Sequence, residues 1–170
     1  MIKISTNLLS EFSIFNILTE SQINDFIDSI KLDTVEKGHD IIKEGQDGNS
    51  LILLFDGEVS ITKALTLMTN KTEIDTREKE MTKLVYTDRP VFGEMSLFDE
   101  DDKRTATITA TTDCKIGILE SHDFFKICDK DPSIGNIIMR NIAGILAKNL
   151  QKTNNQVLKL TTAFSLILEG

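Results

Sequence analysis

Four glycines punctuate the first half of this chain and limit what it can fold into. In "KGHDIIKEGQDGNSLILLFDGEVSITKAL", Gly38, Gly45, Gly48 and Gly57 separate short runs of Ile, Leu, Val and Thr. Short β-prone runs broken by turn residues about every ten positions predict an antiparallel sandwich or barrel. Asp56-Gly57, between two of the runs, predicts a hairpin. Strand-like text returns in "KLVYT" and in "TATITATTDCKIGILE", where Ala106, Ile108 and Ala110 alternate with threonines. Residues 63–83, "KALTLMTNKTEIDTREKEMTK", are polar and lack glycine, and read as a long exposed excursion between two strands.

Helical periodicity brackets this β region. In "TESQINDFIDSI", Ile23, Phe26, Ile27 and Ile30 fall at i, i+3, i+4 and i+7, one apolar helix face. Thr19 with Gln22 three residues later is a capping-box pattern and marks the helix start. "EFSIFNIL" before it predicts one further turn on the same core. After "SHDFFKICDKDPS" the helical period returns: Leu146, Leu150, Thr153, Val157, Leu160, Phe164 and Ile167 are spaced 4, 3, 4, 3, 4, 3. That is a coiled-coil seam about 30 Å long. Its one polar member is Thr153, with Asn154 next to it. So regular a seam predicts a partner helix, and hence a parallel homodimer through residues 134–168. The organisation expected is a helical segment over 1–33, a β region over 34–120 and C-terminal helices over 121–170. The fold class is mainly β with flanking helices.

Composition narrows the function classes. A chain of 170 residues with 40% apolar and 27% charged residues suits one soluble domain. Its net charge of −8 argues against nucleic acid as a direct partner and against an anionic membrane surface. No apolar run approaches the roughly 20 residues needed to span a bilayer. Cys114 and Cys128 have no CxxC neighbours, and His39 and His122 are isolated, so no metal set can be written. "MIKISTNLLSEF" has no basic-then-apolar leader, which predicts a cytoplasmic protein with free, structural thiols. A calcium loop begun at Asp99 would need Gly at position 6 and Glu at position 12; it finds Arg104 and Ala110. With no nucleophile elbow and no Walker loop, neither an enzyme nor a cofactor is expected.

One stretch carries chemistry: "FGEMSLFDEDDKRTATITA", residues 92–110. Gly93 permits a close backbone approach, and "EMSLF" after it can form one helical turn with free N–H groups. Arg104 offers a planar fork for two oxygens of a phosphate, while Lys103 faces elsewhere in an extended chain. Glu94 would repel that phosphate unless it bonds a hydroxyl. A ribose 2′-OH beside a phosphodiester meets both demands, and the combination describes a cyclic nucleotide.

Gly93-Glu94-Met95-Ser96-Leu97, then Arg104-Thr105-Ala106, resembles the phosphate-binding cassette, here residues 92–106, of the cyclic nucleotide-binding domains. The loop length resembles that of the catabolite activator proteins. "FSIF…LTESQINDFIDSI" resembles the family's N-terminal helical segment, and Gly38, Gly45 and Gly57 its turn glycines in an antiparallel β-roll. The final helix resembles its dimerising helix. The likeness covers about residues 12–160. It implies that Glu94 takes the ribose 2′-OH and Arg104 the phosphate oxygens. Backbone around Gly93, Met95 and Ser96 would line the sugar-phosphate, Thr105 would add a hydroxyl, and Thr153 and Asn154 would reach the purine.

Two departures stand out. Thr105 occupies a position where many cAMP binders have Ser or Ala, and a threonine there is familiar in cGMP-selective domains; Thr153 and Asn154 favour cAMP over cGMP. The segment "GEVSITKAL…TDRPVFGE" is longer than usual, with Arg89-Pro90 where an acidic or glycine-containing turn is common. The chain stops after the long helix, without room for the helix-turn-helix domain of the family's transcription activators. The expectation is a regulatory sensor module acting on a protein partner. The rivals are a ligand-free interaction scaffold on the same β-roll and a sensor of another small anion.

Overall fold

β3 (Ser50–Asp56), "SLILLFD", is the strand around which the two cores are built, and it is buried from Ser50 through Phe55. Successive side chains of a strand point to opposite faces. Leu51, Leu53 and Phe55 accordingly enter one core with the helices, while Ile52 and Leu54 enter a second core inside the roll. Both faces are covered, so the sequence is apolar without a break. The computed structural model describes residues 3–64, 78–98 and 103–168.

Two four-stranded antiparallel sheets form the roll. The first has the order β1-β8-β3-β6, with β1 at Ile30–Val35, β6 at Val91–Phe92 and β8 at Cys114–Glu120. The second has the order β2-β7-β4-β5, with β2 at Asp40–Ile42, β4 at Glu58–Ala64, β5 at Glu78–Val85 and β7 at Thr107–Ala110. The hairpin expected at Asp56-Gly57 is not there. β3 already pairs with β8 on one edge and β6 on the other, so no edge is left for β4. The turn instead carries the chain from one sheet to the other. Gly57 takes φ +97°, and a Cβ there would lie 2.6 Å from the Asp113 carbonyl oxygen. The hairpin partner of β4 is β5, in register from Glu58 with Val85 to Ala64 with Glu78. Both ends of the expected excursion over 63–83 are therefore strand, and residues 65–77 lie outside the described residues.

The N-terminal segment comprises α1 (Thr6–Ser10), a 3-10 turn at Ser13–Phe15 and α2 (Glu20–Ile27). The capping box forms in full: the Gln22 N–H donates to Thr19 Oγ1 at 3.3 Å, and the Thr19 N–H to Gln22 Oε1 at 3.0 Å. α2 ends at Ile27, and Ile30, expected on its face, opens β1 while still reaching the same core. Arg89, at φ +47°, pins this segment to the roll. Its Nε pairs with Glu11 at 2.7 Å, its Nη1 donates to the Phe55 carbonyl at 3.0 Å, and its guanidinium lies 5.8 Å from the Phe12 ring centroid. The departure at Arg89-Pro90 thus belongs to the junction between helices and roll.

"SHDFFKICDK", at the start of the C-terminal helices expected over 121–170, is α3 (Ser121–Lys130), which buries Phe124, Ile127 and Cys128. Pro132 then opens α4 (Pro132–Leu168) at the first helical position, where its missing N–H has no consequence. The Asp131 carboxylate accepts from the Ser133 N–H at 2.9 Å and the Ser133 hydroxyl at 2.7 Å, which holds its pKa below the usual range. The first half of α4 buries Ile134, Ile138 and Ile142 at i, i+4 and i+8. Asn141 Nδ2 donates to the carbonyls of Ile14 (3.0 Å) and Asn16 (2.7 Å). Beyond Leu146 the apolar seam of the helix is uncovered: Leu150, Phe164 and Ile167 are 62%, 64% and 74% exposed.

Cys114 and Cys128 are buried and free, as expected of structural thiols. Burial pushes both thiols up, Cys128 to about 11. Among the described residues no helix is long and apolar enough to cross a membrane, and no cluster of His, Cys, Asp or Glu is placed to hold a metal.

Candidate functional site

The site grows from the end of β6. Phe92 is buried, and Gly93 turns the chain at φ +83°. A Cβ at Gly93 would lie 2.3 Å from Arg104 Nη1 and 2.6 Å from the Ser50 carbonyl oxygen, so only glycine fits. The expected single turn follows as a 3-10 turn over Met95–Leu97, closed by the Phe98 N–H on the Met95 carbonyl at 3.2 Å. Ser96 locks it, donating its hydroxyl to the Gly93 carbonyl at 3.0 Å.

Arg104 lies beneath this turn and is only 8% exposed. Its backbone is tied to the loop after β2, with its N–H on the Gln46 carbonyl and its carbonyl accepting from Gly45, both at 2.9 Å. Nη1 donates to the Ser50 carbonyl (3.0 Å) and to Ser96 Oγ (2.9 Å), and Nη2 to Ser50 Oγ (3.0 Å). A guanidinium has five N–H donors. Three are thus taken, and two have no partner among the described residues. Burial lowers the pKa of Arg104 and the field of Glu120 raises it, but an arginine stays protonated. Lys103 turns away, as expected, and pairs with Asp47. The acidic run Asp99–Asp102 lies outside the described residues.

Glu94 is desolvated, which raises its pKa above the ordinary 4.5, against a smaller opposing effect of its own backbone N–H. It shares with Arg104 a cavity of about 340 Å³. That is near the lower end for pockets that enclose a small molecule, about 300–1,000 Å³. Gly93, Met95, Ser96 and Thr105 line the same end. Apolar walls come from both sheets, with Ile61 and Leu84 among the wall residues of the second sheet. Thr105 Oγ1 lies 3.8 Å from Met95 Sδ.

α4 closes the far side with Asn149, Lys152, Thr153 and Gln156. The cassette residues expected from the sequence and Thr153 therefore come together at one cavity. Asn154 does not join them. At 3.6 residues per turn it lies about 100° around α4 from Thr153, on the side away from Asn149 and Gln156. Asn149, Lys152 and Gln156 were not anticipated. Together with Thr153 they fall at i, i+3, i+4 and i+7, a polar stripe with helical period. It was legible in principle, but the apolar seam beside it drew the reading.

The arrangement offers a buried cation with spare donors, a desolvated carboxylate, apolar walls and a polar helix face. That suits a small organic anion carrying a hydroxyl. Curated relatives agree. The chain is 27% identical over 121 residues to the cGMP-dependent protein kinase egl-4 of Caenorhabditis elegans, covering 71% of this chain and 14% of the kinase. It is 28% identical over 120 residues to the cAMP-activated global transcriptional regulator CRP of Haemophilus influenzae, covering 71% of this chain and 47% of the regulator. The chain thus spans less than half the length of either relative. Among solved structures, a cyclic nucleotide-binding domain from Methylobacillus flagellatus KT superposes with a TM-score of 0.74 at 18% identity, over 90% of this chain and 80% of that one. The model of the cyclic nucleotide-binding domain matches residues 32–131, which include most of β1, the whole cassette and α3; the chain belongs to the cyclic nucleotide-binding domain family.

Proposed function

We propose that this chain is a regulatory, non-catalytic sensor of a purine 3′,5′-cyclic monophosphate, with cAMP as the favoured ligand. The observation that carries the reading is the sharing of one cavity by Arg104 and Glu94. A guanidinium held by Ser50 and Ser96, with two donors that have no partner among the described residues, receives the ring phosphate, and a desolvated carboxylate receives the 2′-OH. Backbone at Gly93, Met95 and Ser96 follows the sugar-phosphate, and Thr105 lies at the same end.

Base choice is decided at α4. The Thr153 hydroxyl donates to its own helix, at the Asn149 carbonyl, 3.0 Å away. Its lone pairs are then left to accept, which suits the 6-amino group of adenine. Asn154 enters from a second copy. In a parallel pair along the seam, Leu150 is an a position and Thr153 a d position, so Asn149 is g and Asn154 e. Position g of one helix faces the following e of its partner, which brings the partner's Asn154 next to Asn149 at the cavity rim. The exposed seam supports such a pair, and the position of α4 against the roll is the output read by a protein partner.

Titration calorimetry with cAMP and cGMP, and with cyclic dinucleotides and inorganic phosphate as controls, tests the proposal. Saturable binding of cAMP that Arg104→Ala weakens by about 10- to 150-fold is the expected result. Binding that is unchanged in this variant refutes the assignment of Arg104 to the phosphate, and binding absent for both mononucleotides refutes the sensor reading and leaves an interaction scaffold or a sensor of another small anion.

A further inference from the structure

Among the described residues, three charged side chains line the cavity: Arg104, Glu94 and Lys152. The first two have work at the phosphate and the sugar. Lys152 has none. It stands on α4, one residue before Thr153 in the polar stripe, and forms no ion pair or hydrogen bond with any described residue. An ammonium is donor-only, with three N–H groups and no lone pair. At the Hoogsteen edge of a purine, where N7 is an acceptor in both bases, it discriminates by the C6 substituent alone. The substituent at C6 is an acceptor carbonyl in guanine and a donor amine in adenine, and C6 borders both the Hoogsteen and the Watson–Crick edges.

We infer that Lys152 is a base-selecting residue of this pocket and that it works against Thr153. The threonine, with lone pairs to offer, favours adenine, and the ammonium favours guanine. The net preference of the pocket is the difference between them, and removing Lys152 sharpens the selection for cAMP. The inference rests on the proposal that the cavity holds a purine cyclic monophosphate. A plain Coulombic role is the competing account. Lys152 would then attract the ligand's monoanion, and its loss would weaken both nucleotides alike.

The test is the ratio of dissociation constants for cGMP and cAMP, measured on the full chain and on Lys152→Met and Lys152→Arg. Lys152 is exposed, and the melting temperature of each variant without nucleotide is expected to match the parent. Lys152→Met raises the cGMP/cAMP ratio about tenfold, chiefly through weaker cGMP binding, as loss of a charge-assisted bond to a carbonyl requires. Lys152→Arg, which keeps a cationic donor, holds the ratio near that of the parent. A ratio unmoved by Lys152→Met, with both affinities falling together or neither changing, overturns the inference and leaves the nucleotide reading intact. Failure of the parent chain to bind either nucleotide removes that reading as well.

Discussion

Arg104→Met separates what the buried arginine does for the ligand from what it does for the fold. In the free protein the guanidinium is nearly inaccessible and has no carboxylate within ion-pair distance among the described residues; its protein bonds go to Ser50 and Ser96, all neutral acceptors. Desolvating a charge costs several kcal/mol. Three charge-assisted bonds at about 1.5–3 kcal/mol each offset that cost without clearly exceeding it. Methionine keeps most of the volume, so stability without ligand changes by about 1 kcal/mol or less in either direction, roughly 2–4 °C in a domain of this size. The liganded protein behaves differently. At a nucleotide concentration 100 times the parent's dissociation constant, binding adds about 2.7 kcal/mol. If the variant binds about 1.5–3 kcal/mol more weakly, the same concentration adds only about 0.3–1.3 kcal/mol. Thermal melts with and without cAMP read both quantities together. A variant that melts like the parent when free but keeps the parent's full ligand shift would refute the assignment of Arg104 to the phosphate.

Glu94 gives a pH signature. Its folded pKa is raised, so ionisation opposes folding, and stability without ligand rises as pH falls through the shifted value. Nucleotide affinity runs the other way, because the 2′-OH donates to the ionised form: it falls over that same interval, above pH 4.5, and Glu94→Gln flattens the profile in a pH series of titrations. Asn141→Ala removes two donors from the Ile14 and Asn16 carbonyls and lowers chemical stability by about 1–3 kcal/mol, read as a shift in the urea midpoint. Leu160→Glu puts a charge in the α4 seam and converts a dimer to monomer in sedimentation velocity while leaving the melting of the roll unchanged, since Leu160 is 54% exposed.

Much of the fold and the Gly93–Arg104 end of the cavity could be read from local chemistry. Thr19 and Gln22 specify a helix start through contacts three residues apart, and Gly93 specifies a backbone shape no other residue adopts there. The misreadings arose where the answer depended on distant partners. Asp56-Gly57 encodes a tight turn, but whether its flanks pair depends on β8 and β6 having already taken both edges of β3. The α4 face of the cavity was missed for another reason. Thr153 was found because it interrupts an apolar pattern, whereas Asn149, Lys152 and Gln156 interrupt nothing; their spacing puts them on one face, and only the cavity shows that this face matters. Ser50, which holds Arg104 through both its carbonyl and its hydroxyl, opens a strand 54 residues earlier and carries no local signal of that duty.

Thr153 occupies two patterns at once, being the polar member of the α4 seam and a lining residue of the cavity. That overlap makes helix pairing and ligand binding one problem. With Thr153 as the reference angle, the cavity residues Asn149, Lys152 and Gln156 lie up to about 100° to one side, and the seam residues Leu150 and Val157 about 40–60° to the other. A rotation of α4 that presents its polar stripe to a purine therefore also re-aims the seam. The two preferences add if both favour one rotation and compete if they do not. Either way the coupling is a single free energy, so the factor by which nucleotide changes the dimer constant must equal the factor by which pairing changes nucleotide affinity. With the partner's Asn154 at the rim, as proposed, the expected sign is positive: pairing tightens binding. Sedimentation equilibrium with and without saturating cAMP gives the first factor, and titrations of the parent and of monomeric Leu160→Glu give the second. Two factors near unity would mean that α4 does not couple the sites, and two unequal factors would mean that Leu160→Glu disturbs the cavity directly.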